Sequence, residues 1–311
     1  MSCSVRSDEH QRLLSIKTPQ ARSDDPSHLS SLHKYYDINE KMSESWFIWH
    51  MNPDGNKEDG CHPQEAAALK EYLQSANPNA EEAARAIIVP VENESDPIDN
   101  CHRLWSLLMD ALNDLPEHRI KLITLLQAIQ KLPPAHPKQG ERRSIVNWHG
   151  LPGFGHLWSD CHINDNWRSS MHEWAPEQCE AVRSDYQKQA EIEAQLVVGK
   201  VGEIPLEWGY ECISNALERS DAALDFEIPA AAEWFLNAGR TICDGDDGGE
   251  GGWALKQKND LWKGSEGWSP ERREYWEERM KEIGGMDGLR QDTRDAAKKA
   301  IEAIKAVEKA H

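Results

Sequence analysis

A chain of 311 residues with 39% apolar and 29% charged residues is long enough to bury a large core without disulfides or metals. Its formal charge of −19 opposes a phosphate backbone, so nucleic acid is not an expected partner. No apolar run approaches the ~20 residues that cross a bilayer, so no membrane is expected either.

Residues 1–29 are rich in Ser, Asp and Arg with few apolar side chains, a composition that cannot offset the entropy of ordering, and they read as a mobile tail. No apolar block follows a basic start, which argues against a secretory signal and for a cytoplasmic protein. The seven cysteines are scattered and contain no C-x-x-C pair, as reduced thiols would be.

From residue 30 to 311 the pattern predicts one helical domain. Leu32, Tyr35, Tyr36, Ile38, Met42, Trp46 and Trp49 recur at helical spacing up to the turn Asn52-Pro53-Asp54-Gly55. Pro63 opens a helix over Gln64–Ala76, and Asn79 caps one over Ala80–Val89. Pro97 opens a helix burying Ile98, Cys101, Leu104, Trp105, Leu108 and Leu112. Pro116 opens the next, with Ile120, Ile123, Leu126 and Ile129 on one stripe, and the tight link between the two predicts an antiparallel hairpin. An internal connection is expected near 131–155, beginning with the Pro-rich Lys131–Glu141. Downstream, Pro176–Leu196, Pro205–Glu218, Pro229–Cys243, Pro270–Ile283 and Asp292–His311 read as helices opened by proline or a polar cap. No alternating β-branched segment and no fixed repeat period is present, so the fold class is all-α: an irregular globular array of about ten helices.

The densest chemistry lies between Trp148 and Trp174, where Trp148, Trp158, Trp167 and Trp174 alternate with His149, His156, His162 and His172. Indoles at this density make either a core or an aromatic-walled cavity. Gly and Pro within Gly150–Gly155 predict a mostly irregular segment. Two elements, W-H-G-L-P-G-F with Trp148, Leu151, Pro152 and Phe154, and A-A-A-E-W-F-L-N-A-G with Ala231, Ala232, Trp234, Ala238 and Gly239, resemble a fungal family of uncharacterised helical proteins, DUF3632. The resemblance implies an organisation shared over about Ser30–Gly285 and carries no reaction or catalytic residue. The extra tryptophans and histidines around Trp158–Trp174 depart from the pattern and point to this protein's own task.

The histidines and Cys161 and Cys179 are spaced seven, six and ten apart rather than three to five, so no metal site is expected. Asp246, Asp247 and Glu250 resemble the magnesium motif of class I terpene synthases, but they sit among five glycines and lack a second motif. The stretch Asp244–Gly252 is therefore expected to be a mobile, solvated loop. Cys101 lies on an apolar stripe and is expected in the core. Trp148 and Trp234 are expected to anchor the fold, with Trp158 or Trp167 bordering a cavity.

The leading reading is a helical protein that binds a small hydrophobic molecule in a tryptophan-lined pocket, as a cofactor-independent isomerase, cyclase or dehydratase of secondary metabolism would. His162, Asp160 and His156 are the acid–base candidates, and Trp158, Trp167, Trp174 and Phe154 the substrate-binding ones. Neither a dinucleotide fingerprint nor a Walker loop occurs, so no cofactor is expected. The rival reading is a non-catalytic protein–protein interaction module.

Overall fold

A computed structural model describes residues 44–57, 59–135, 145–164, 166–245, 252–256 and 259–309. The expected tail, the first part of the Tyr/Trp stripe, much of the 131–155 connection and most of the acidic Gly-rich loop lie outside these residues. The chain divides into two compact units, Met1–Trp46 and Phe47–His311. Everything below concerns the second, apart from the start of the first helix.

Among the described residues are thirteen α-helices and no strand. They are α1 Glu44–Met51, α2 Pro63–Gln74, α3 Ala80–Glu92, α4 Pro97–Asp114, α5 Arg119–Gln130, α6 Phe154–Cys161, α7 Trp167–Ser170, α8 Pro176–Gly199, α9 Glu207–Leu217, α10 Leu224–Asp244, α11 Trp253–Lys256, α12 Pro270–Gly284 and α13 Gln291–Lys309. The fold is all-α, as the punctuation predicts. The three helices beyond the expected ten are the short α6, α7 and α11. Two of these lie in the Trp/His segment, which corrects the expectation that it is mostly irregular.

Helix α8 joins two layers of packing. On one side α5 and α4 lie against it, with α3 packed on α4 and α5 and α2 on α3. On the other, α10 is the hub, contacting α8, α9 and α13, and α12 packs on α13. This second core gathers Tyr210, Ile213, Leu217, Trp234, Phe235, Trp276 and Met280, all buried. The expected hairpin of α4 and α5 forms. The isolated bridge between Ala135 and Val146 pins the two ends of the connection that follows.

Local chemistry explains most boundaries. Pro63, Pro97, Pro176 and Pro270 each occupy a first helical turn, where a missing N–H leaves no bond unmade. The Asn79 side chain accepts from Glu81 N and Glu82 N at 3.1 and 3.3 Å. Pro229 behaves differently. The helix begins five residues before it, at Leu224, so the expectation that Pro229 opens it is corrected. Proline there deprives the Asp225 carbonyl of its helical donor, and Arg183 Nε supplies one at 2.5 Å. The helix then bends at Ala238 (φ −128°, ψ 20°), beside Gly239.

The stripe assigned to α5 is also corrected. Ile120 is 81% exposed, and Ile98 of α4 is 39% exposed. The buried face of α5 runs instead through Arg119, Leu122, Leu125, Leu126 and Ile129. Arg119 can be inside because its Nε donates to Leu112 O at 2.9 Å and its guanidinium meets Glu191 at 2.5 Å.

Candidate functional site

Two helical stripes face each other across the second layer. On α8 the residues Tyr186, Gln189, Ala190 and Glu193 recur at spacings of three and four, and on α9 the same holds for Trp208, Glu211, Cys212 and Asn215. With His162, Ile163 and Asn164 after α6, and Trp234 of α10, they line one cleft. The cleft comprises about 330 Å³ out to its open mouth. Its enclosed part is about 10 Å³, the room of a single water.

The centre of this cleft is a buried carboxylate. Glu193 is 2% exposed, and its Oε1 accepts from Trp158 Nε1 at 3.0 Å and lies 2.8 Å from His162 Nδ1. A carboxylate acceptor assigns the Nδ1 proton to the imidazole, leaving Nε2 as the free base nitrogen of the neutral ring. The indole of Trp208 stacks on His162 with centroids 4.1 Å apart and planes 12° from parallel. Gln189 fixes the entry of the His162 segment: its Oε1 accepts from Ile163 N at 2.7 Å and its Nε2 donates to Cys161 O at 2.9 Å.

The remaining polar groups divide clearly. Tyr186 donates to Cys212 Sγ at 3.4 Å. Burial, then the neighbouring thiol, holds the Tyr186 hydroxyl well above the ordinary phenol range. Burial likewise pushes the Cys212 thiol up to about 12, so it stays protonated at neutral pH and is no nucleophile. Asn215 is 8% exposed and lines the cleft. No three His, Cys, Asp or Glu side chains converge as a metal set among the described residues.

The residues singled out in the sequence fall in different places. His162 lines the cleft, and Trp158 touches it through Glu193. His156 and Asp160 lie one turn apart on the exposed face of α6, 3.9 Å from each other, and do not line it. Phe154 is fully buried, edge-on to Trp105 at 5.7 Å and stacked toward Trp158 at 6.1 Å. Trp167 is buried against Phe226 at 4.0 Å with its indole N–H unpartnered, and Trp174 is half-buried. Trp148 is fully buried, its indole donating to Glu92 at 3.0 Å. Trp234 is buried as well, and it also lines the cleft. Glu193, Gln189, Trp208 and Asn215 were missed by sequence reasoning. No local signal singled them out, because which positions of the two helices face inward is set by their packing.

A family model described as protein of unknown function, DUF3632, matches residues 105–280, more than half of the chain. The protein belongs to this family. No curated protein and no solved structure matches it. The DUF3632 span runs from Trp105 in α4 to Met280 in α12 and contains every residue that lines the cleft. Helices α1 to α3 and α13 lie outside it. Both motif elements on which the resemblance was drawn fall inside it.

Proposed function

We propose that this protein binds a small molecule in the His162 cleft and moves a proton on it without a cofactor, as an isomerase or lyase does. The observation that carries this reading is the chain Trp158–Glu193–His162, in which one buried carboxylate oxygen holds an indole N–H at 3.0 Å and an imidazole nitrogen at 2.8 Å. A carboxylate fixed by a second donor orients the imidazole and stabilises the imidazolium that forms when Nε2 takes a proton. The face of Trp208 favours that cation as well.

In the reaction, Nε2 takes a proton from the ligand, and the imidazolium returns it to another ligand atom or to a leaving hydroxyl. Proton count is conserved within the site. The enclosed volume means that anything larger than water enters only if lining side chains shift, and Trp208 is half-exposed. The lining suits a ligand with an apolar or aromatic body and one polar end. The exposed large apolar side chains, among them Trp49, Val89, Ile120, Val198 and Trp253, stand on different helices, which gives a partner-binding face less support.

The test is a small-molecule screen by NMR, followed by proton exchange of the binders in D₂O. Binders are expected to move the Trp208 indole and Asn215 amide signals, and the protein should catalyse deuterium incorporation into them. His162→Asn should lower that rate by about 100-fold or more while leaving the thermal unfolding midpoint nearly in place. Binding without exchange, or exchange indifferent to His162, would overturn the acid–base role.

A further inference from the structure

We infer that the junction between the start of α2 and the start of α4 is a pH-gated latch. It is closed while the buried carboxyl of Glu65 carries a proton, and it opens locally, baring the thiols of Cys61 and Cys101, when that proton leaves. The latch is separate from the His162 cleft and does not depend on the small-molecule reading.

The geometry suits a neutral carboxyl and penalises a carboxylate. Glu65 stands in the first turn of α2 and is fully buried. Its Oε2 accepts from His62 N at 2.8 Å, and its Oε1 is buried without a hydrogen-bond partner. An ionised oxygen in that position forfeits its hydration and gains nothing in return. The titratable and charged groups around it come from three elements. The residues leading into α2 bring Cys61 and His62, the turn after α3 brings Glu94, and α4 brings Cys101 and Arg103. Arg103 favours the carboxylate, but its guanidinium donates to Asn100 instead. Glu94 opposes it, and stands 3.0 Å from His62 Nε2. All six residues precede the span that the DUF3632 model matches, so the latch belongs to this chain's own amino-terminal addition.

Burial raises the Glu65 carboxyl from 4.5 to about 7, and an opened, hydrated carboxyl returns toward 4.5. The closed form therefore holds a proton that the open form releases between these values. Opening grows as pH rises through this window and levels off above about 7. Protonation of His62 would strengthen its pair with Glu94, which acts in the same direction and has to be separated by substitution. Opening also changes two thiols. Burial, then the Glu65 charge, pushes Cys61 and Cys101 up to about 12, whereas a hydrated thiol falls back to the ordinary range and reacts as its thiolate.

The test is hydrogen exchange of the full chain by NMR from pH 5 to 7.5, each rate divided by its intrinsic value at that pH. It is run on the native protein, on Glu65→Gln and on Glu94→Gln. Iodoacetamide labelling of Cys61 and Cys101 runs beside it, relative to a free thiol at the same pH. In the native protein the hydrogen-bonded amides of Cys61, His62, Glu65 and Ala66 are expected to lose at least about tenfold in protection across this range, with both thiols labelling faster in step. Low urea should leave this exchange unchanged, because a local opening exposes little surface. Glu65→Gln keeps an acceptor for His62 N and should stay protected at every pH, and Glu94→Gln should retain the dependence. The same dependence in Glu65→Gln, or its complete loss in Glu94→Gln, would overturn the role of Glu65. Exchange that rises with urea together with the core of α8 would mean whole-chain unfolding and would overturn the latch. If Glu65→Gln fails to fold, a ¹³C titration of the Glu65 carboxyl in the native protein decides, and a midpoint in the ordinary carboxylate range overturns the inference.

Discussion

His162 lies 2.8 Å from Glu193, although 31 positions separate them in the sequence. The pair exists because α6 ends at Cys161 and Gln189 captures both sides of the next residue, delivering the imidazole to the buried face of α8. Trp158, one turn earlier, donates to the same oxygen. Trp158→Phe keeps the ring mass but removes this donor, so Glu193 loses one of its two partners. The expected loss of stability is about 1–3 kcal/mol, read by urea unfolding, with a shift of the His162 Nδ1–H resonance in ¹⁵N NMR. An unchanged resonance would mean that the indole does not hold the dyad.

Arg272 and Glu218 form a bidentate pair at 2.6 Å on each arm, both side chains fully buried. Trp276 adds a bond to Glu218 at 2.7 Å, and Arg272 also holds the carbonyls of Leu255 and Gly267 at 2.8 and 3.0 Å. Arg272→Met should destabilise by about 3–5 kcal/mol, because it leaves a buried carboxylate uncompensated. Adding Glu218→Leu should recover part of that loss. A double variant no more stable than Arg272→Met alone would contradict this account.

Glu65 is fully buried, and desolvation raises its carboxyl from 4.5 to about 7. The nearby Glu94 pushes the same way, against the His62 backbone N–H and Arg103. Because the folded value lies above the unfolded one, the native state binds the extra proton between these limits. Stability is therefore highest below about pH 4.5 as far as this group is concerned, and it falls as pH rises to about 7, by up to roughly 3 kcal/mol. Glu65→Gln retains an acceptor for His62 N and removes the titration. Denaturant midpoints from pH 5 to 8 should flatten in that variant, and an undiminished slope would assign the dependence to other groups.

Gly153 in the Trp/His region and Gly202 after α8 separate backbone strain from steric exclusion. Gly153 (φ +82°) has nothing within 4 Å of an added Cβ, so Gly153→Ala should cost only about 1 kcal/mol for its left-handed backbone. At Gly202 (φ +67°) the Cβ would stand 2.4 Å from the Phe154 ring, which is itself fully enclosed. Gly202→Ala should therefore cost a further 1–3 kcal/mol or about that amount, and thermal unfolding of the two variants side by side decides it. Equal losses would show that Phe154 gives way.

The candidate site was legible only in part. The indole and imidazole density marked the region of Trp158 and His162, but nothing in the local pattern ranked His162 above His156. What separates them is where α6 stops: His156 points outward on its turn, and His162 follows the helix end, where Gln189 turns the chain inward. Glu193 and Asn215 read as ordinary solvent-facing polar positions, since burial of a polar residue depends on partners contributed by other helices.

The sequence by itself determined the helical class and the starts of α2, α3, α4, α8 and α12, because a proline in the first turn or an Asn or Ser cap acts within a few residues of itself. Where those signals were overruled, a distant group intervened: Arg183 relieves the carbonyl freed by Pro229, and Leu112 and Glu191 draw Arg119 inside and turn Ile120 outward. Only the tertiary structure decided which polar side chains meet. A hydrogen bond such as His162–Glu193 needs geometry set to a fraction of an ångström, and that geometry comes from the packing of α8, α9 and α10 against one another.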